Sequence, residues 1–151
     1  PIALWHRLRR HGALHRSQLM AREGDLLGAE RQLREFLAKR PFDTVTLWRL
    51  AEVATARDAP ATVVEAANAV LDLSPGFGPA LLRRAHARHL MGNELAALHD
   101  FMSALERPLN IEDFTLAATS TLQLLIDRGE PETARHYTSS LREGAERPQA
   151  A

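Results

Sequence analysis

"AREGDLLGAERQLREFLAKRP", residues 21–41, reads as a small polar turn followed by an amphipathic helix that stops at a proline. Whether it is a lone helical hairpin or one period of a recurring unit decides what kind of chain this is. Pro41 and Pro75 are 34 residues apart, and Gly24 and Gly92 are separated by twice 34. Carried forward by the same step, Ala29 meets Val63 and Ala97, Phe36 meets Val70 and Ala104, and Leu37 meets Leu71 and Leu105, so each column stays apolar. A fourth unit follows after a slip of three residues. There "DRGEPETARHY", residues 127–137, repeats "REGDLLGAERQ" and "LMGNELAALHD", with Gly129 and Ala134 in the places of Gly24 and Ala29. A fixed period of this length is the signature of stacked supersecondary units.

Within each period the pattern is helix, turn, helix. In "DTVTLWRLAEVATA", residues 43–56, Val45, Leu47, Leu50, Ala51 and Ala54 fall largely on one side, with Asp43 or Thr44 suited to the N-cap. "RDAP", residues 57–60, turns the chain, with Asp58 expected as the next cap and Pro60 near the first helical turn. In "SPGFGP", residues 74–79, Pro75 ends a helix, Gly76 and Gly78 tolerate left-handed backbone, and Pro79 opens the next helix. "RPLNIED", residues 107–113, reads as a loop that absorbs the slip. No segment alternates with a period of two over more than a few residues. The expectation is an all-α chain of eight helices at about 2–22, 26–39, 44–56, 60–73, 79–91, 94–106, 113–128 and 131–143.

These residues resemble the tetratricopeptide repeat family. The likeness is carried by small residues where the helices of a unit meet (Ser17, Ala51, Ala85), by inner-turn glycines (Gly24, Gly92, Gly129), by small residues in the second helix (Ala29, Ala97, Ala134) and by closing prolines (Pro41, Pro75). Small residues let helix axes approach, glycine frees a turn and proline ends a helix. The resemblance implies a right-handed superhelical array of antiparallel hairpins. One repeat domain is expected over 1–146, with units at about 10–41, 44–75, 78–108 and 113–146 and a tail at 147–151. Departures are Val63 for an alanine, Asp58 for a turn glycine, Leu122 for a small residue, Glu146 for a proline, and Arg16 and Arg84 where the family has leucine. Other helical-hairpin arrays share the general pattern.

Composition narrows function mainly by exclusion. The 151 residues hold nineteen basic and nineteen acidic side chains, so no overall field drives binding to nucleic acid or anionic membrane, although a local patch would. The absence of cysteine removes thiolate nucleophiles, disulfides and thiolate metal sites. No run approaches the roughly 18 apolar residues of a membrane span, and the chain reads as soluble, of either cytoplasmic or periplasmic type. It starts at Pro1, and "IALWHRLRRHG", residues 2–12, suits either an amphipathic first helix or a segment just after a cut, with Trp5, Arg7, Arg9 and Arg10 near a former membrane edge. The helix is the expectation; a fragment of a larger protein is compatible with it.

The pairs His11 with His15 and His86 with His89 each place two imidazoles on one helix face, but neither has the glutamate and further ligand of a recognised zinc motif, and no metal is expected. Glu112 with Asp113, and Glu130 with Glu132, fall at helix starts, where acidic groups meet the helix dipole. No phosphate-binding glycine loop or nucleophile elbow is present. The basic run His6, Arg7, Arg9, Arg10, His11, His15, Arg16 has only Trp5 near it for stacking and reads as a solvated or partner-facing helix. Nothing supports an enzyme, and no cofactor is expected.

The resemblance moves the functional search to the first helices of the units, which line the concave face that the family uses to hold peptides or helices of other proteins. The register puts Leu14, Trp48, Leu82 and Thr119 in one column, and His15, Arg49, Arg83 and Ser120 in a second. A third holds Gln18, Glu52, His86 and Gln123, and a fourth Ala21, Thr55, His89 and Ile126. The candidate partner-binding residues are Gln18, Trp48, Arg49, Glu52, Arg83, His86, His89 and Gln123. Trp48 would serve either as an anchor or as packing between hairpins, and Arg49 and Arg83 suit an acidic segment. The lysine and asparagine clamp with which some family members grip a C-terminal carboxylate is not matched by Leu14 and Gln18, so chaperone-tail binding is not expected. The chain reads as a non-catalytic scaffold or adaptor. Two rivals are self-assembly into a homo-oligomer through array ends that lack a polar cap, and RNA binding, which the neutral charge disfavours.

Overall fold

The computed structural model describes the backbone of residues 2–145 and the side chains of residues 11–142. Trp5, Arg7, Arg9, Arg10, Glu146 and the tail at 147–151 therefore lie outside the described side chains. Every element among the described residues is helical: α1 (Ile2–Arg22), α2 (Leu26–Lys39), α3 (Thr44–Ala56), α4 (Pro60–Leu73), α5 (Gly78–Leu90), α6 (Glu94–Leu105), α7 (Ile111–Asp127) and α8 (Pro131–Ala145). Each helix packs on the next, and first helices also meet first helices, α1 on α3 and α5 on α7.

The inner turns share one hydrogen-bond solution. After α1, Gly24 N–H donates to Ala21 O at 3.2 Å and Asp25 N–H to Met20 O at 2.8 Å, the paired closure in which the penultimate residue is left-handed. The same pair recurs at Gly92 and Asn93 and at Gly129 and Glu130. Glycine supplies the left-handed φ at +87°, +75° and +75°. In the second hairpin Asp58 takes this place at φ 54°, the only non-glycine residue with positive φ among those described. The expected role of Asp58 as a helix cap is therefore corrected: it closes α3, and Ala59, without a capping side chain, stands at the N-cap of α4.

Asp25 and Asp43 do cap, accepting from Gly28 N–H at 2.8 Å and Thr46 N–H at 2.9 Å. Helix α7 begins at Ile111, earlier than the acidic pair suggested, because Asn110 accepts from Asp113 N–H at 2.8 Å and sets the start. Neither Gly76 nor Gly78 uses a left-handed φ. Gly78 is required for room instead: a Cβ there would lie 2.9 Å from Leu109 Cδ2 and 3.1 Å from Pro108 O, where the 107–110 loop crosses the start of α5.

The small residues expected at helix crossings are buried: Ser17, Ala29, Ala51, Ala85, Ala97 and Ala134. They sit among Leu33, Leu50, Val70, Leu81, Phe101, Leu124 and Leu125, which build the two main apolar clusters. At Arg84, where the family has leucine, the structure supplies a reason. Arg84 donates from Nε and Nη2 to both oxygens of the fully buried Asp100, each at 2.8 Å, and from Nη1 to Asn68 Oδ1 at 2.8 Å. Arg88 adds Nη1 to Asp100 Oδ2 at 2.7 Å. The register shows the same exchange in unit one, where Arg16 donates to Gln32 Oε1 at 3.3 Å. Moving both pairs onto unit two gives Leu50 and Ala66, so a leucine in the first helix becomes an arginine where the second helix offers it a polar partner.

Candidate functional site

Helices α3, α5 and α7, the first helices of their hairpins, frame a cleft of about 370 Å3 together with the start of α4. Its apolar wall is formed by Trp48, Val63, Pro79, Leu82, Leu90 and Leu116, and its polar groups are Thr55, Asp58, Arg83, His86 and Asp113.

Trp48 packs between hairpins and also lines the cleft. The half-buried ring packs against each of the two main core clusters. Its edge-to-face partner is Phe77, with centroids 5.1 Å apart at 80°. The Arg83 guanidinium carbon stands 4.8 Å from its centroid, a cation–π contact, and the remaining surface faces the cleft. Arg83 is further held by Nη1 donating to Thr55 Oγ1 at 3.0 Å, and Thr55 in turn donates to Ala51 O at 2.8 Å. Burial pulls the Arg83 pKa below its ordinary value, while the carboxylates of Glu52 and Asp113 act the other way. His86 lines the cleft with one ring edge against Phe101, centroids 5.8 Å apart. Burial is the main cause that holds its pKa below the ordinary imidazole value, with His89 and Arg83 adding to it.

Trp48, Arg83 and His86 are thus brought together. The other predicted residues are not part of the cleft wall. Arg49 donates to Glu52 Oε2 at 3.1 Å, an i, i+3 ion pair along α3. Gln123 donates to Asp127 Oδ1 at 2.8 Å on α7. Gln18 and His89 are exposed on α1 and α5.

Pro79, Leu90, Asp113, Leu116 and Asp58 line the cleft without having been singled out as groove residues. A signal existed for the first four. Pro79 and Leu116 lie one helical turn before Leu82 and Thr119 in the same register, and Leu90 one turn after His86. Asp113 opens that same turn of α7, where Asn110 Nδ2 donates to its Oδ2 at 2.9 Å. No group of three or more His, Asp or Glu residues among those described is placed to hold a metal ion. No described helix is long and apolar enough to cross a membrane.

No family model and no curated protein matches the sequence. Solved structures do match the fold. A MamA structure from Desulfovibrio magneticus RS-1, residues 41 to the end, superposes with a TM-score of 0.71 at 15% identity, covering 87% of this chain and 72% of that one. A tetratricopeptide repeat protein from Parabacteroides merdae gives 0.67 at 21% identity, over 86% of this chain and 51% of that one. The first tetratricopeptide-repeat domain of Spaghetti (RPAP3), bound to the HSP90 peptide SRMEEVD, gives 0.64 at 18% identity, over 74% of this chain and 90% of that one. Period, turn chemistry, small-residue crossings and superposition agree: the chain has the tetratricopeptide-repeat fold.

Proposed function

We propose that the chain is a non-catalytic interaction scaffold that holds a peptide or helix of another protein against the cleft between α3, α5 and α7. The observation that carries this is the cleft itself. Its apolar lining includes Leu90 and Leu116, which are 65% and 41% exposed and so remain free to be covered by a partner. The RPAP3 domain, a fold neighbour, is bound to a peptide, which supports the same use of the scaffold here. The acidic character expected of the partner has weaker support than its apolar anchor, since Arg49 is engaged by Glu52 and Arg83 is packed on Trp48 and bonded to Thr55.

The structure also selects the variants. Trp48→Ala would remove a core bridge as well as a binding surface, so loss of a partner would not separate binding from folding. Leu90→Gln and Leu116→Gln change exposed side chains and leave the core intact. A photo-crosslinking amino acid placed at Leu90 or Leu116 should give a specific heteromeric adduct in the source cell, and the same group at Arg31 or Asp72, exposed on the second helices, should not. Equal adducts from both sets would refute the cleft. An adduct with the mass of two copies would replace the adaptor reading by self-assembly.

A further inference from the structure

The charges around the cleft are not those its arginine suggests. Arg83 is held in the wall by its face on Trp48 and one N–H on Thr55, and the fields of Glu52 and Asp113 only partly oppose the burial that lowers its pKa. The carboxylates are placed differently. Asp58 enters from the turn between α3 and α4, and no described residue bonds to its carboxylate. Asp113 enters from the first turn of α7 and commits one oxygen to the Asn110 side chain at 2.9 Å. Leu116 also borders a separate, more open depression lined by Ile111, Glu112, Thr115 and Thr119. With His86 neutral, the lining charges are Asp58 and Asp113 against Arg83, one negative in excess, and Glu112 lines the neighbouring depression.

The backbone at Asp58 supplies a separate observation. The three other inner turns spend glycine on the left-handed position, where an L-residue carries a conformational cost. The one turn that accepts this cost is the turn that lines the cleft, and the side chain it gains there is a carboxylate.

We infer that the segment held in this cleft carries a basic residue beside its apolar anchor, the cation facing Asp58 and Asp113 while the anchor rests on Trp48, Leu82 and Leu116. The inference rests on the cleft being the binding site, and it replaces the acidic partner suggested by the arginine columns with one of opposite sign. It follows from charge complementarity: with Arg83 counted, the lining keeps one negative charge in excess, which favours a lysine or arginine over a carboxylate, and Asp58 is the carboxylate that no described residue bonds.

Selection of short random peptides displayed on phage against the whole chain tests it. Binders should be enriched in lysine or arginine within about one helical turn of a large apolar residue. In fluorescence anisotropy with the consensus peptide, Asp58→Asn and Asp113→Asn should each weaken binding about two- to fivefold, the range of exposed ion pairs. The loss should shrink at high salt, and a peptide with glutamine in place of the basic residue should bind the variants and the unaltered chain alike. Enrichment of aspartate or glutamate beside the anchor, or unchanged affinity in both variants, overturns the inference. If the peptides lose affinity on Leu90→Gln and Leu116→Gln yet show no basic preference, the charge inference alone fails. If they bind those two variants undiminished, the cleft is not the site and both readings fall. Thermal melts of the two asparagine variants separate weakened binding from unfolding.

Discussion

Asp100→Ala is the substitution whose cost the structure fixes most closely. Asp100 is fully buried and receives three charge-assisted hydrogen bonds, from Arg84 at 2.8 Å twice and from Arg88 at 2.7 Å. Removing it leaves the Arg84 side chain, itself only 17% exposed, without a counter-charge between α4, α5 and α6. Breaking a buried pair in this way costs about 3–5 kcal/mol, whereas replacing both partners by apolar groups is often neutral. The chain contains its own template for the second case, because unit two has Leu50 and Ala66 at the equivalent places. The double variant Arg84→Leu, Asp100→Ala copies that arrangement; Arg88, whose side chain is 25% exposed, keeps access to water. We expect it to recover most of the loss, to within about 1–2 kcal/mol of the parent, the remainder reflecting a cavity and Asn68. Chemical denaturation followed by helical circular dichroism measures both. In thermal melts the single variant should fall by about 6–20 °C at roughly 2–4 °C per kcal/mol for a chain of this size. A single-variant cost under about 1 kcal/mol, or a double variant no more stable than the single one, would refute the reasoning.

Two further predictions concern a turn and a titration. Gly78→Ala should destabilise by about 1–2 kcal/mol, because the new Cβ would meet Leu109 Cδ2 at 2.9 Å and Pro108 O at 3.1 Å. Gly76→Ala, whose Cβ would meet nothing nearer than Arg107 Nη1 at 3.8 Å, should be tolerated; equal costs in denaturation would remove the close-approach argument. His86 has a depressed pKa when folded, mainly through burial, so the unfolded chain takes up its proton first as pH falls. Its contribution is therefore complete above the unfolded value of about 6.5 and is lost as pH falls through the lower folded value. His86→Gln should flatten the stability profile in that window, and an unchanged slope in melts across it would show that His86 is not responsible.

The fold was legible because its determinants are local and repeat. A left-handed turn, a small residue at a crossing and a helix-ending proline each act within a few residues, and a period of 34 multiplies the signal. Errors arose where one residue type serves two local uses. Aspartate is a good N-cap and also one of the few residues that tolerates the left-handed region, and at Asp58 the second use took precedence because the turn after α3 needed closing. Glu112 and Asp113 mark a helix start correctly in charge, but Asn110 makes the capping hydrogen bond and moves the start to Ile111. Arg84 looked like a departure from the repeat when its own column was read; its partner Asp100 lies 16 residues on, in another helix and another column.

The cleft was harder to read for a different reason. Register is a translation: it groups residues that occupy equivalent places and gives every unit the same inward columns. A cavity depends on what side chains leave unfilled between units, which translation cannot express. Trp48 and Leu82 share a column with Leu14 and Thr119, yet only the first two line the cleft, where Pro79 and Leu116 from the preceding helical turn complete the wall. Charge has the same weakness. A column containing Arg49 and Arg83 looks basic, but Arg49 has Glu52 at i+3 on its own helix, and Arg83 is half-buried on Trp48 and feels Asp113 from α7. The first of these could have been read from spacing alone; the second required α5 and α7 to be brought side by side. What a partner meets in such an array is therefore the charge left after the scaffold's own pairs are made, and in this cleft the carboxylate that no described residue bonds is that of Asp58.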